Sequence, residues 1–394
     1  MPSSTATMTQ EAIDQDFQFG AQFGLLAREK IELMVRRGII VAPDIGASQL
    51  QPASLDLRLG ARAYRVRASF LPGKNCPVRD RLEALRGGAD EISLEGGGAI
   101  LERGCVYLVP LIESLRLPES ICAVANPKSS TGRLDIFTRL ITDGSDVFDR
   151  VASGYSGPLW AEVSPRSFTV RVRKGTKLNQ LRFRRLNPGQ PGRAEFGISE
   201  KELQERHRRM PLVDGSFEWR RDGLVLHAGL SAAEPSRIIG YRAQKHTDIL
   251  DVDKAGTYRA CEYWEALYAR RDKRLILDPD EFYILASRER LQIPPDLAAE
   301  MVPIDPAMGE FRVHYAGFFD PGFGAGPDGR PCARAVLEVR SYEVPFSLED
   351  GQIIGRLVFE KLAEPPRLLY GAGGSSSYQG QGLKLSKHFC AEDL

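Results

Sequence analysis

A chain of 394 residues exceeds the usual single domain, and 53 basic against 52 acidic side chains leave it nearly neutral, so two domains are expected and a nucleic-acid binder held by counterion release is not. Six scattered cysteines (Cys76, Cys105, Cys122, Cys261, Cys332, Cys390) form no CxxC pair, which disfavours a disulfide frame or zinc site and fits free thiols in a reducing compartment. Residues 1–23 carry Glu11, Asp14 and Asp16 with no apolar leader core, and no run approaches about 18 apolar residues, so the expectation is a cytoplasmic protein without a membrane partner.

After an N-terminal extension, 1–23, the segment "GLLAREKIELMVRRGII" (24–40) spaces Leu25, Ile31, Leu33 and Met34 as a short helix ending at Gly38. Alternating segments follow. "ASLDLRLG" puts Leu55, Leu57 and Leu59 on one face, "GCVYLVPL" comes next, and in "SFTVRVRKG" Phe168, Val170 and Val172 alternate with Thr169, Arg171 and Arg173. Pro and Gly punctuation between short strands predicts an all-β barrel or jelly roll with a few short helices. Within it "NPKSSTGRLD" (126–135) follows the apolar strand "ICAVA". Lys128 and Arg133 flank Ser129, Ser130, Thr131 and Gly132, a grouping of cations, hydroxyls and accessible amides that suits phosphate, with an ordinary surface turn as the competing reading. The strand "RVRKGTKLNQLRFRR" (171–185) is basic at alternate positions and reads as a solvated face outside any site.

A connector, 191–219, contains "ISEKELQERHRRMP", where Ser199 and Glu202 have capping-box spacing, Leu203 begins a charged helix, and Arg206 to Arg209 form a wet basic face. The C-terminal segment, 366–394, is rich in Gly and Ser and is expected to be a mobile tail that orders over a bound ligand.

Sliding the chain against itself by 176 positions pairs Leu101 with Leu277, Tyr107 with Tyr283, Glu113 with Glu289, Pro127 with Pro303, Glu162 with Glu338, Gly175 with Gly351, and Leu181 with Leu357. Agreement at turn prolines, turn glycines and strand positions marks an internal duplication, with copies at 24–190 and 220–365. The copies have diverged asymmetrically. At the place of "PKSSTGR" the second reads "PIDPAMGEF" (303–311), without the serines and the arginine, whereas Asp320 in its hairpin (314–339) stands where the first has Ala152.

These motifs together resemble the dCTP deaminases of the trimeric dUTPase superfamily: "PASLDLRLG" the opening strand, "KSSTGR" the phosphate loop, "FFDPGF" (318–323) and "VLEV" (336–339) the sugar and base hairpin, Tyr370 and Gln381 the closing tail. Ser377 occupies a tail position where a lysine is usual, so one triphosphate contact is lost or comes from another cation. The resemblance implies two tandem dUTPase-like distorted β-barrels and hydrolysis of dCTP to dUTP and ammonia for thymidylate synthesis. It implies triphosphate binding at Lys128, Ser129, Ser130, Thr131, Gly132 and Arg133, sugar and base contacts at Asp320 and at main-chain groups of Val336 and Leu337, and tail contacts at Tyr370, Ser377 and Gln381.

Glu338 is the expected general base and then acid, because the first-copy cradle plus the second-copy hairpin and tail make one full set; Glu162 is the alternative if three first copies stack in a ring. Zinc is not expected, since His207, His227, His246, His314 and His388 lack an HxE or HxxxH partner. Magnesium is expected on the triphosphate. A homo-oligomer, dimer or trimer, and dTTP as an inhibitor are further expectations. A dUTPase-like or bifunctional enzyme giving dUMP and a non-catalytic nucleotide-binding regulator are the alternative functions.

Overall fold

The computed structural model describes residues 23–85, 90–187, 197–231, 237–303, 311–313, 317–341, 343–372 and 376–390. Most of the N-terminal extension, the second-copy counterpart of the phosphate turn (304–310) and residues 314–316 of the hairpin lie outside them.

In the first half, Val106–Arg116 runs antiparallel between Arg62–Val66 and Ser156–Pro165, which continues to Ile136–Thr142. A second sheet centres on Lys177–Arg185, flanked by Leu55–Arg58 and Ile121–Pro127. The second half repeats this plan. Phe282–Leu291 lies between Ile238–Ala243 and Ala333–Ser341, and Ile353–Lys361 between Gly223–His227 and Leu297–Pro303. Inward-facing residues of both copies, such as Leu55, Leu57, Leu181 and Phe183 or Leu224, Leu285 and Leu357, are completely buried. The fold is all-β, two small distorted barrels with a few short helices.

The duplication extends to register and polar detail. Glu162 faces Leu108 across its ladder and Glu338 faces Ile284, both 176 positions on. The hydroxyl of Tyr107 accepts from the amide of Glu102 at 2.9 Å, and that of Tyr283 from the amide of Asp278 at 2.9 Å. Buried Glu113 accepts from the amide and guanidinium of Arg58; its counterpart Glu289 accepts from the amide of His227 and contacts that ring at 2.7 Å. A buried carboxylate needs such partners, so the pair persists in both copies while its donor changes.

Three local expectations need correction. The leading helix spans Arg28–Arg36; Leu25 instead lies in the strand Gly24–Leu25, where it pairs with Arg184 and satisfies the edge of a buried sheet. The connector helix begins at Glu200, capped by Ser199, and is not merely wet: Leu203 is fully buried and Arg206 pairs with Asp296 and Glu202. The basic strand is not solvated either. Arg182 and Arg184 are buried because the outer face of Lys177–Arg185 meets the second domain, where Arg184 pairs with Glu360 and Arg182 with Asp320. In the described part of the tail, Leu385 and Phe389 are buried in the core built mainly by the first domain, and Ser386 is buried beside them.

The halves meet at several further points. Val170–Val172 pairs in parallel with Leu250–Asp251, Leu25 bridges Leu362, and Arg340 pairs with Asp135. Arg184 and Glu360 are equivalent positions of the two copies, 176 apart, so the copies present matched sites of opposite charge to each other. This junction places the phosphate turn of one copy opposite the hairpin of the other.

Candidate active site

A cavity of about 690 Å³ opens at the junction, with walls from the first-domain turn, the second-domain hairpin and the tail. On the first-domain side the strand Ile121–Pro127 ends at a proline that cannot extend the ladder, and the chain turns through Ser129–Gly132. The amides of Thr131 and Gly132 donate to the carbonyl of Lys128, which tightens the turn and aligns its side chains. Lys128 reaches Asp56 on the neighbouring strand.

Arg133 leaves the turn and is buried. Its guanidinium donates to the carbonyl of Lys384 at 2.9 Å and to Oε1 of Gln381 at 2.9 Å, and stacks 3.9 Å from the centre of the Tyr378 ring. Burial lowers its pKa, opposed by the fields of Tyr378 and Glu338. Gln381 is fixed in turn by Arg334, to whose carbonyl it donates at 3.0 Å. The tail is thus latched to the cradle by the same arginine that the sequence assigned to phosphate.

Glu338 enters from the strand Ala333–Ser341 and faces the turn directly. A methyl group on Gly132 would lie 2.5 to 2.7 Å from its carboxylate atoms, so only glycine allows the approach. The carboxyl is 5 % exposed, and Oε2 has no hydrogen-bond partner. Burial lifts its pKa well above the usual carboxylate range; Arg133 pulls it down and Asp135 pushes it up. Such a group holds a proton more firmly than a solvated carboxyl does.

Glu162 sits elsewhere. Its Oε1 accepts two hydrogen bonds from Arg139, at 2.7 and 3.1 Å, on the same sheet, and it does not line the cavity. Asp320 does line it, but its carboxylate accepts from Arg182 at 2.9 Å, and burial raises its pKa against the pull of that cation. Arg182 also donates to the carbonyls of Ala299 and Phe319, so one buried guanidinium fixes the hairpin turn.

Val336 lines the cavity, whereas the side chain of Leu337 is buried in the second-domain core and leaves only its backbone for a ligand. Among the described residues the ladder with Phe311–Val313 reaches Val339. Tyr370, Ser377 and Gln381 all reach the cavity wall, Tyr370 with its ring 5.5 Å from that of Phe323. The cavity therefore gathers every expected site residue except Gly132, whose role is to admit Glu338, Leu337, and the alternative Glu162.

Sequence reasoning missed Asp56, Lys177, Arg182, Tyr378 and Lys387. The Arg182 signal was present: apolar Leu181 and Phe183 on one face and arginines on the other describe a strand buried on both sides just as well as a wet one. Among the described residues no group of three His, Cys, Asp or Glu is placed to hold a metal, and no helix is long and apolar enough to cross a membrane.

A paired dUTPase-like β-barrel with one polar, nucleotide-sized cavity between the copies is the class that fold and site define. Family models for the N-terminal and C-terminal domains of 2'-deoxycytidine 5'-triphosphate deaminase match residues 22–187 and 199–389. The crystal structure of 2'-deoxycytidine 5'-triphosphate deaminase from Agrobacterium tumefaciens is 50 % identical, with a TM-score of 0.81 over 88 % of this chain and 100 % of that one. The chain belongs to the dCTP deaminase family. Among curated relatives, the dCTP deaminase of Natronomonas pharaonis is 33 % identical over 30 % of this chain and 59 % of its own length. The dUMP-forming dCTP deaminase of Beutenbergia cavernae is 32 % identical over 28 % and 55 %. The chain thus spans a little over half the length of these curated relatives.

Proposed function

We propose that the protein hydrolyses dCTP to dUTP and ammonia, with Glu338 as the proton-transfer group. The observation that carries this reading is a buried, raised-pKa carboxylate with one unpartnered oxygen, set against a phosphate-type turn in a cavity that both copies build. Deamination at C4 of cytosine needs a water deprotonated as it attacks and a donor that returns a proton to the departing amine. Glu338 can do both in turn. The cradle, Lys128 to Arg133, would hold the triphosphate, Asp320 the deoxyribose hydroxyl, and the edge of Val336 and Leu337 the pyrimidine.

Magnesium fits as a passenger of the substrate. Apart from Glu338, the cavity carboxylates are already engaged, Asp56 by Lys128, Asp253 by Arg173 and Thr176, and Asp320 by Arg182. The ion would be held by phosphate oxygens and water, adding neutralisation that the cations alone do not supply.

A second reading, hydrolysis onward to dUMP and pyrophosphate, is favoured by the names of several relatives, which are called dUMP-forming. The ion pair that occupies Asp320 speaks against it, because the attacking water at a phosphate would need a free carboxylate there. Incubation with dCTP and magnesium, separating dUTP, dUMP and pyrophosphate, decides. Ammonia with stoichiometric dUTP is expected; dUMP as the main product would establish the second reading, and unreacted dCTP would remove both.

A further inference from the structure

We propose that Lys387, with Lys177, forms the subsite for the terminal phosphate of the nucleotide and supplies the cation that tail position Ser377 lacks. This rests on the deaminase reading above. The cavity is polarised. All five cations and acids concerned line it, but Arg133 and Glu338 act on each other, whereas Lys387 feels Lys128 and Lys177.

The acids at the cationic end do not cancel this charge. Asp56 is taken by Lys128, and Asp253 accepts from Arg173 at 3.2 Å and from Thr176 at 2.8 Å. Among the described residues the Lys177 side chain makes only long contacts to Ser48, at 3.4 and 3.5 Å, and Lys387 forms no ion pair. Burial lowers the Lys387 pKa and the repulsion of Lys128 and Lys177 adds to the shift, while Asp56 and Asp253 act against it.

The position of Lys387 is built rather than incidental. Its amide donates to the hydroxyl of Tyr378 at 3.2 Å, and its carbonyl accepts from Gly256 at 2.9 Å. The residues on either side are buried. Ser386 donates to the carbonyl of Ser130 in the cradle, and the ring of His388, held neutral with a pKa near 4 by burial, meets the carbonyl of Val252 at 2.8 Å. Neighbours pinned inward on both sides turn the Lys387 side chain out into the cavity. Ser377 cannot serve there: it has no charge, and its carbonyl accepts from Lys384 at 2.9 Å.

A lysine that reads only the third phosphate distinguishes dCTP from dCMP without touching the base. The test is equilibrium binding of dCTP, dCDP and dCMP to the full chain, for wild type, Lys387→Ala and Lys387→Arg, with initial rates of ammonia release alongside. Lys387→Ala is expected to weaken dCTP by about 10- to 100-fold, the loss of one charge-assisted hydrogen bond, and dCMP by less than about 3-fold. Lys387→Arg should recover most of the dCTP affinity, and KM should rise while kcat stays nearly level. Unchanged dCTP affinity in Lys387→Ala overturns the proposal. So does an equal loss for all three nucleotides, which marks a merely structural tail residue. A wild-type chain that binds dCTP but releases no ammonia would instead sink the deaminase reading and leave the comparison of nucleotides decisive for Lys387.

Discussion

Glu338 is buried in a way that costs stability and that, in the proposed reaction, suits proton transfer. Its pKa is raised in the folded chain, so the folded state holds the proton more firmly than the unfolded one. That contribution is fully present below the unfolded carboxyl pKa and is lost as pH rises through the folded value. Glu338→Gln removes the ionisation while keeping the shape. It should abolish ammonia release, bind dCTP nearly as wild type, and raise the melting temperature by about 1–4 °C at pH 8 with little change at pH 4, measured by calorimetry across pH. A variant less stable at pH 8 would contradict the account. Gly132→Ala tests the same contact from the other side. The added methyl meets only the end of a side chain, so the protein should fold, but the displaced carboxylate should lower kcat by about 100-fold or more, as expected when a catalytic group is misplaced by an ångström.

Among the elements, the strand Lys177–Arg185 is where local pattern and tertiary context part. Alternating arginines are compatible with a wet edge, and nothing in the strand itself shows that a second sheet covers them. In the folded chain Arg182 is completely buried, stacked 4.0 Å from the centre of the Phe318 ring and bonded to Asp320 and to two carbonyls. Removing one partner of a buried pair leaves the other uncompensated. Arg182→Leu should therefore destabilise the protein by about 3–5 kcal/mol in denaturant unfolding. Adding Asp320→Asn should recover part of that loss, and an unchanged unfolding midpoint in the single variant would show that the pair carries no weight.

For the whole molecule, the consequence of fusion is that one chain holds the cradle, the hairpin and the tail of the same cavity. Aromatic packing reinforces the joint: Tyr263 and Trp264 of the second half pack against Phe168 of the first, and Phe389 of the tail packs on both of them, with ring centres 5.4 to 6.0 Å apart along the cluster. A site completed within the chain does not need a second copy. Specific activity should then stay constant when enzyme is diluted from micromolar to nanomolar concentration, whatever oligomer forms at the higher one. A fall in specific activity on dilution would mean that a neighbouring chain completes the site.

Much of the architecture was legible because it repeats. Leu101, Tyr107, Glu113 and Leu181 recur at one offset, and a recurrence at turn and core positions is a statement about fold that needs no coordinates. The grouping of Lys128, Ser129, Ser130 and Arg133 was likewise legible, because adjacent residues stay adjacent in any fold. What neighbouring positions cannot encode is which surfaces meet across a junction. The sequence by itself determined a duplicated all-β chain with one surviving phosphate-type turn. Only the tertiary structure decided that Glu338 rather than Glu162 faces that turn, that Arg182 and Arg184 are interior, and that Lys387 stands beside Lys128. Those facts depend on side chains separated by scores of residues, and burial at a junction, not periodicity along a strand, sets their charge and their partners.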